Sequence, residues 1–146
     1  LSSGLIYEPG KHAVTEELIE LAAVMRDSGA FYATHLRNEA GGLLDSVDEA
    51  LAIGAGAGLP VLLSHHKAAG RDNWGRVRDS LARIAQARAR GQTVDLDQYP
   101  YTAGSTMLAA VLANGVFTPT AAQGGIGDVG AEDVLVAAAP GRAEWD

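Results

Sequence analysis

The feature that most constrains the fold of this chain is a regular alternation of amphipathic segments and short strand-like segments. Three segments place apolar residues at helical spacing, and each is followed by a short run typical of a strand. In chain order, these elements are predicted over 15–29, 30–37, 43–54, 59–65, 73–91 and 93–101. Such an alternation is typical of βαβ units. We therefore predict an α/β fold with a parallel sheet.

Single residues set the predicted limits of the helices. Thr15 is predicted to cap the first helix and Gly29 to end it. In the third helix, Val77, Leu81 and Ile84 recur at helical spacing and are predicted to face the core.

The spacing between polar residues at the predicted strand ends is nearly constant. His65 follows His35 by 30 residues, and Asp97 follows His65 by 32. A closed eight-stranded barrel needs about 250 residues. Three regular units cannot close such a barrel, so the 146 residues are compatible with part of a barrel or with a small open doubly wound domain. Because the first residue is leucine, we expect an internal piece of a larger protein.

The regular pattern ends near residue 106. Residues 107–146 are rich in alanine and glycine with few charges, and we interpret them as an excursion from the sheet. Residues 132–141 are predicted to hold one further strand. Residues 125–130 match G-x-G-x-x-G, but no strand precedes them and no helix follows. We interpret them as a loop, not as a dinucleotide site.

Composition narrows the range of partners. The formal net charge is −7, which argues against binding of nucleic acid or of an anionic membrane surface. The chain has no cysteine, and no apolar run approaches the roughly 20 residues that span a bilayer. The first residues lack the features of a secretory signal peptide. We therefore expect a cytoplasmic protein.

Histidines follow two successive predicted strands. His35 ends the first strand, His65 ends the second, and Asp97 and Tyr99 lie at the end of the third. Neighbouring strands lie about 4.8 Å apart, so both imidazoles could reach one zinc ion. The alternative, about equally supported, is a pair of core histidines hydrogen-bonded to backbone.

The residues after His65 are predicted to divide between two sides of the strand. Side chains alternate in an extended strand, so His66 should point away from His65 and take a supporting or surface role. Lys67 should return to the His65 side, where it could bind a substrate carboxylate. An ordinary solvated lysine is the alternative.

Four further polar residues are candidates for the same region. Arg37 and Glu39 alternate with His35 and could line its surroundings, or form a surface ion pair instead. Tyr99 and Ser105 could donate hydrogen bonds to an anionic group. Turn chemistry around the neighbouring proline and glycine would explain that stretch equally well.

Several motifs, in order and at characteristic spacing, give the sequence a family resemblance. It resembles the N-acyl-D-amino-acid deacylases (D-aminoacylases) of the amidohydrolase superfamily over residues 1–106. The motifs that carry the resemblance are "SSGLIYEPG", "THLRNE", "SHHK", "NWG" and "DQYPYTAGST". The resemblance implies an α/β fold that is a partial (β/α)8 TIM-type barrel, about strands 4/5 to 7, of a metal-dependent enzyme that hydrolyses N-acyl-D-amino acids to a D-amino acid and a carboxylate. Residues 1–106 would form the central portion of that barrel, and 107–146 part of an inserted lid segment.

The resemblance also implies roles for five residues. His35 and His65 would bind one or two zinc ions at the ends of strands five and six of the barrel. Lys67, Tyr99 and Ser105 would bind the carboxylate of the substrate. The family's His-x-His pair, metal-binding cysteine and catalytic aspartate have no counterparts in the chain. We therefore expect the general base outside it, and expect the piece alone to be inactive and to self-associate through exposed edges.

Two other functions are compatible with the residues. A cyclic-amide hydrolase of the hydantoinase or dihydroorotase kind would use the same metal site without needing the carboxylate-binding set. A non-catalytic α/β binding domain would keep the histidines as structural residues and bind no stoichiometric zinc.

Overall fold

The computed structural model describes residues 1–108, 112–113, 116–117 and 131–137. Its main feature is a four-stranded parallel sheet with the strands in chain order. The strands are β1 (Ser2–Gly4), β2 (Tyr32–His35), β3 (Val61–Leu63) and β4 (Val94–Leu96). The connecting helices are α1 (Thr15–Ala23), α2 (Leu43–Ala57) and α3 (Val77–Ala89). The predicted α/β architecture with a parallel sheet is confirmed.

Shorter elements complete the described structure. Short 3-10 turns lie at Gly10–His12, Arg71–Asn73 and Ala131–Asp133. Strands β5 (Leu112–Ala113) and β6 (Val116–Phe117) form a separate antiparallel pair. None of the described helices is long and apolar enough to cross a membrane.

The core lies where the central helix α2 meets the sheet and the other two helices. Leu43, Val47 and Ile53 of α2 are fully buried, together with Tyr32 of β2 and Leu63 of β3. The Tyr32 hydroxyl is satisfied by Ser3 Oγ of β1 at 2.6 Å. This bond explains how a polar aromatic group is buried without losing its hydrogen bond.

Strand β1 was not predicted from the sequence. Its residues, Ser2–Gly4, lack the apolar and β-branched side chains that indicate a strand. They become a strand because β2 lies alongside: Ser3 pairs with Thr34, and Leu5 N–H donates to the His35 carbonyl at 3.2 Å. The strand therefore depends on its neighbour and not on its own propensity.

Three helix predictions are wrong in detail. Val14, in extended backbone, is the residue at the N-cap of α1, and the Thr15 hydroxyl instead donates to Glu49 Oε1 at 3.0 Å. Helix α1 ends at Ala23, although Gly29 does adopt the positive φ expected of a terminating glycine. Leu81 of α3 is 42% exposed, because this helix is rotated to bury Ser80.

The prediction for the last part of the chain is partly testable. Residues 131–133 form a 3-10 turn and 134–137 have no regular structure, so the first part of the strand predicted over 132–141 is wrong. The remainder of that strand and the loop assigned to 125–130 lie outside the described residues. The division into 1–106 and 107–146 stays a prediction.

Gly54 marks the closest approach of α2 to the sheet. A Cβ at this position would overlap Val61 Cγ2 and lie 3.1 Å from the Leu59 carbonyl oxygen. We expect Gly54→Ala to lower the free energy of unfolding by about 1–3 kcal/mol, because buried backbone and a core valine must move. Urea denaturation measures this change.

Gly56 provides the matched control in the same helix. A Cβ there would meet only the Ile19 side chain, at 3.0 Å. Gly56→Ala should therefore cost less than Gly54→Ala, because a partly buried side chain can adjust. Equal costs for the two substitutions would contradict the close contact between α2 and β3.

Candidate metal centre

The parallel pairing of β2 and β3 brings their carboxyl ends side by side. Thr34 pairs with Leu63, and Ser64 N–H continues the ladder to the Thr34 carbonyl at 3.1 Å. His35 is the last residue of β2, and His65 lies two residues beyond the end of β3. Reactive side chains gather at this edge in parallel α/β folds.

His65 has an uncommon backbone conformation. Its φ is +40°, in the left-handed region that residues other than glycine rarely adopt. Asp97, the residue that follows β4, stabilises this conformation through two hydrogen bonds. The His65 N–H donates to the Asp97 carboxylate, and the His66 N–H donates to the Asp97 carbonyl at 2.8 Å. Asp97 thus fixes the direction in which the His65 ring points.

The two imidazole rings converge. His35 Nδ1 lies 2.7 Å from His65 Nε2, and the ring centroids are 4.3 Å apart with the rings edge to face. Burial, with smaller effects of His65 and Lys67, lowers the pKa of His35 to about 4. His35 is therefore neutral near pH 7, the form in which an imidazole binds a metal. The predicted convergence is confirmed, and the ligand role stays a prediction.

Glu39 joins the two histidines and is almost fully buried, with 2% exposed. Its Oε1 lies 3.1 Å from His65 Nδ1, and its Oε2 lies 2.6 Å from Lys67 Nζ and 3.8 Å from His35 Nε2. Potential ligand atoms of the two histidines and Glu39 all lie within 4.8 Å of one another. Glu39 was expected near His35 from the sequence but was not predicted to be a metal ligand.

The residues present suit a zinc ion. Zinc binds imidazole nitrogen and carboxylate oxygen, both of which this cluster offers. His35 Nε2 is buried and has no hydrogen-bond partner among the described residues. Burying a nitrogen whose lone pair has no partner costs free energy, and a bound cation would accept that lone pair.

The predicted substrate-binding residues lie near this cluster to different degrees. Lys67 Nζ donates to the His65 carbonyl at 2.8 Å and lies 5.5 Å from the centre of the Tyr99 ring. The Tyr99 hydroxyl packs against Gly104, next to the exposed Ser105. Burial, and secondarily the Glu39 charge, raise the pKa of Tyr99.

Tyr7 is a neighbour of the cluster that residue-level reasoning missed. Its ring lies 5.1 Å from the His35 ring, and its hydroxyl is 3.0 Å from Thr106 Oγ1. The sequence signal was weak, because Tyr7 follows the unrecognised strand β1 and belongs to no periodic pattern.

Arg37 does not lie with His35. Its guanidinium donates to Glu49 Oε1 and Oε2 at 2.8 and 2.9 Å and to the carbonyls of Lys11 and Ala13. The alternation assumed for an extended strand fails, because β2 ends at His35. The ion-pair alternative for Arg37 therefore describes the structure better, whereas Glu39 turns inward.

His66 points away from His65, as predicted, but it is buried and not at the surface. Its Nε2 lies 2.8 Å from Ser80 Oγ, which itself donates to the Val77 carbonyl at 3.0 Å. His66 Nε2–H is therefore the donor, and the bond ties the end of β3 to α3. Burial, and secondarily Lys67, lower the pKa of His66.

Stability of the metal-free protein should depend on the charge state of these histidines. The pKa of His35 is about 4 when folded, below the usual value of about 6.5 that the unfolded chain retains. The unfolded chain thus binds more protons between these values, so stability is complete above about pH 6.5 and declines as the pH falls toward 4. Chemical denaturation in the presence of a chelator measures this decline.

Variants of two histidines sharpen this prediction. His35→Gln should flatten the decline, because it removes one of the buried groups that the unfolded chain protonates first. His12→Gln is the control, since His12 is exposed and pairs with the exposed Glu8, away from the cluster. An unchanged slope in His35→Gln would contradict the burial of a neutral His35.

Comparison with known proteins agrees with the resemblance noted in the sequence. No protein-family model matches the chain. The chain is 45% identical over 108 residues to a D-aminoacylase and 46% identical over 107 residues to an N-acyl-D-glutamate deacylase, both from Alcaligenes xylosoxydans xylosoxydans. These matches cover 74% and 73% of this chain but 22% of each relative.

Solved structures give the same result. The fold matches N-acyl-D-glutamate deacylase from Bordetella bronchiseptica, complexed with zinc and a phosphonate inhibitor, with a TM-score of 0.66 and 47% identity over 68% of this chain and 21% of that one. A D-aminoacylase studied for its binuclear metal center matches with a TM-score of 0.70 and 45% identity, over 73% of this chain and 22% of that one.

The α/β sheet with histidines at adjoining strand ends thus resembles part of D-aminoacylase, whose crystal structure defines a subset of amidohydrolases. Within that class, the chain is similar to a D-aminoacylase, an N-acyl-D-glutamate deacylase and an N-acyl-D-aspartate deacylase. It spans about 22% of the length of the curated relatives that it matches.

Proposed function

We propose that this chain contributes metal ligands and substrate-binding groups to a zinc-dependent hydrolase of N-acyl-D-amino acids. The observation that carries the proposal is the convergence of His35 and His65, whose nitrogens lie 2.7 Å apart at adjoining strand ends. The matched relatives carry names of this activity, and one of their structures holds zinc. Hydrolysis would release a D-amino acid and a carboxylate.

The four-stranded sheet is proposed to be part of a (β/α)8 barrel. All its pairings are parallel, and each pair of successive strands is joined through a helix. Strands β1 and β4 each pair with one neighbour in the sheet, so further strands could extend it on both sides. The segment 107–146 is proposed as the lid. Self-association and a cytoplasmic location stay predictions.

The chain's own residues would bind and orient the substrate. Zinc held by His35 and His65 would polarise the scissile carbonyl of the substrate and lower the pKa of a bound water. Lys67, Tyr99 and Ser105 would bind the substrate carboxylate, with Lys67 as the charged donor. This binding would present one enantiomer's amide to the metal. The group that moves the proton to the leaving amine is proposed to lie outside these 146 residues.

The zinc affinity and the hydrolytic activity of a His65 variant test the metal site. In the protein whose reading frame contains this chain, His65→Ala should abolish amide hydrolysis and weaken zinc binding by at least about 100-fold, because it removes a direct ligand. Competition with a chromophoric chelator measures the affinity. His12→Ala is the exposed-histidine control and should bind zinc normally.

Wild-type protein that binds no stoichiometric zinc would contradict the proposal and favour a non-catalytic α/β domain. Normal turnover by His65→Ala would exclude His65 from the reaction.

Substrate pairs test the carboxylate-binding role of Lys67. Lys67→Ala should lower kcat/KM for an N-acyl-D-amino acid by about 10–100-fold, because a charge-assisted hydrogen bond is lost. The same variant should lose much less on the matching N-acyl-D-amino acid amide, whose carboxamide carries no charge. An equal loss on both substrates would contradict carboxylate recognition, and efficient cleavage of cyclic amides alone would favour a hydantoinase-like enzyme.

A further inference from the structure

We propose that Glu39 is a positioning residue: its two carboxylate oxygens hold His65 in the tautomer whose Nε2 is unprotonated, as a metal ligand requires, and fix the ammonium of Lys67. The residue therefore couples the metal ligand to the group proposed to bind substrate. The part that concerns zinc rests on the proposed function. The part that concerns the His65 tautomer does not.

The tautomer follows from the contacts of Glu39 Oε1. This oxygen lies 3.1 Å from His65 Nδ1, and a carboxylate oxygen can only accept. If Nδ1 carried no proton, two lone pairs would face each other inside a buried cluster. His65 therefore carries its proton on Nδ1 and donates to Glu39. Its Nε2 then has a lone pair, which accepts from His35 Nδ1–H at 2.7 Å.

The second oxygen of Glu39 fixes Lys67. Oε2 lies 2.6 Å from Lys67 Nζ, and a second ammonium proton is donated to the His65 carbonyl at 2.8 Å. The 3.0 Å separation of Lys67 Nζ and His65 Nδ1 is then a contact between two donors that share one carboxylate. One proton of the ammonium remains for a ligand.

The surroundings of Glu39 indicate that it orients His65 and Lys67. Two charge-assisted donors occupy its two oxygens, and only 2% of the residue is exposed. The backbone is also fixed, because the Glu39 carbonyl accepts from Ala69 N–H at 2.7 Å. A histidine that binds a metal through one nitrogen commonly donates from the other to a carboxylate, which fixes ring and tautomer.

The first experiment reads the tautomer directly. Long-range 1H–15N NMR of the metal-free protein should show His65 protonated on Nδ1. In Glu39→Leu, which removes both acceptors, the proton should move to Nε2, whereas Glu39→Gln keeps one acceptor oxygen and should retain the Nδ1 form. A merely structural role would leave the tautomer unchanged in both variants, and that result would overturn the inference.

The second experiment measures zinc affinity by chelator competition. Glu39→Leu should bind zinc about 10–100-fold more weakly than wild type. Glu39→Gln should show the smaller loss of affinity, about 10-fold. Glu49→Gln is the matched control: Glu49 also pairs with a cation, Arg37, but away from the histidines. It should keep wild-type affinity.

The outcomes separate the two proposals. If wild type binds no zinc, the proposed function fails, while the NMR result still decides the role of Glu39. If wild type binds zinc and both Glu39 variants match Glu49→Gln in affinity, the inference is overturned and the proposed function stands. If circular dichroism shows that Glu39→Leu does not fold, a wild-type affinity in folded Glu39→Gln overturns the inference, and a weakened affinity supports it.

Discussion

The parallel register of β2 and β3 is the constraint on which the site depends. Because the two strands run in the same direction with Thr34 opposite Leu63, their carboxyl ends lie at one edge of the sheet. Side chains that are 30 residues apart in sequence thereby come within hydrogen-bond distance. The register is held by burial of Tyr32 and Leu63, so the chemistry at the edge depends on apolar packing below it.

Electrostatics determine what this edge can bind. Two imidazoles and an ammonium surround one buried carboxylate, and the carboxylate offsets the cost of removing Lys67 from water. Burial lowers the pKa of His35, so its ring is neutral near pH 7 and has a lone pair that a metal could use. The cluster is therefore stable in the form that is ready for a ligand.

Some features of the site could be predicted because they depend on strand ends alone. His35 and His65 were found by position after apolar runs, and Lys67 was expected on the same side. Its position has a different cause, however: the left-handed turn at His65, and not a continued strand, brings Lys67 back. Glu39 was not predicted as a ligand because it lies beyond the end of β2. There the chain turns, with Asn38 Oδ1 accepting from Ala40 N–H, and the two-residue alternation of a strand no longer applies.

By itself, the sequence determined the class of fold, the order of the elements from α1 to β4, and the family resemblance, because hydrophobic periodicity and motif spacing are local properties. Only the tertiary structure decided which polar residues meet. Strand β1 formed because β2 satisfied its backbone, Arg37 turned to Glu49, and His66 turned to Ser80. These choices depend on hydrogen-bond partners from distant segments, whose positions are set only when the sheet and helices have packed together.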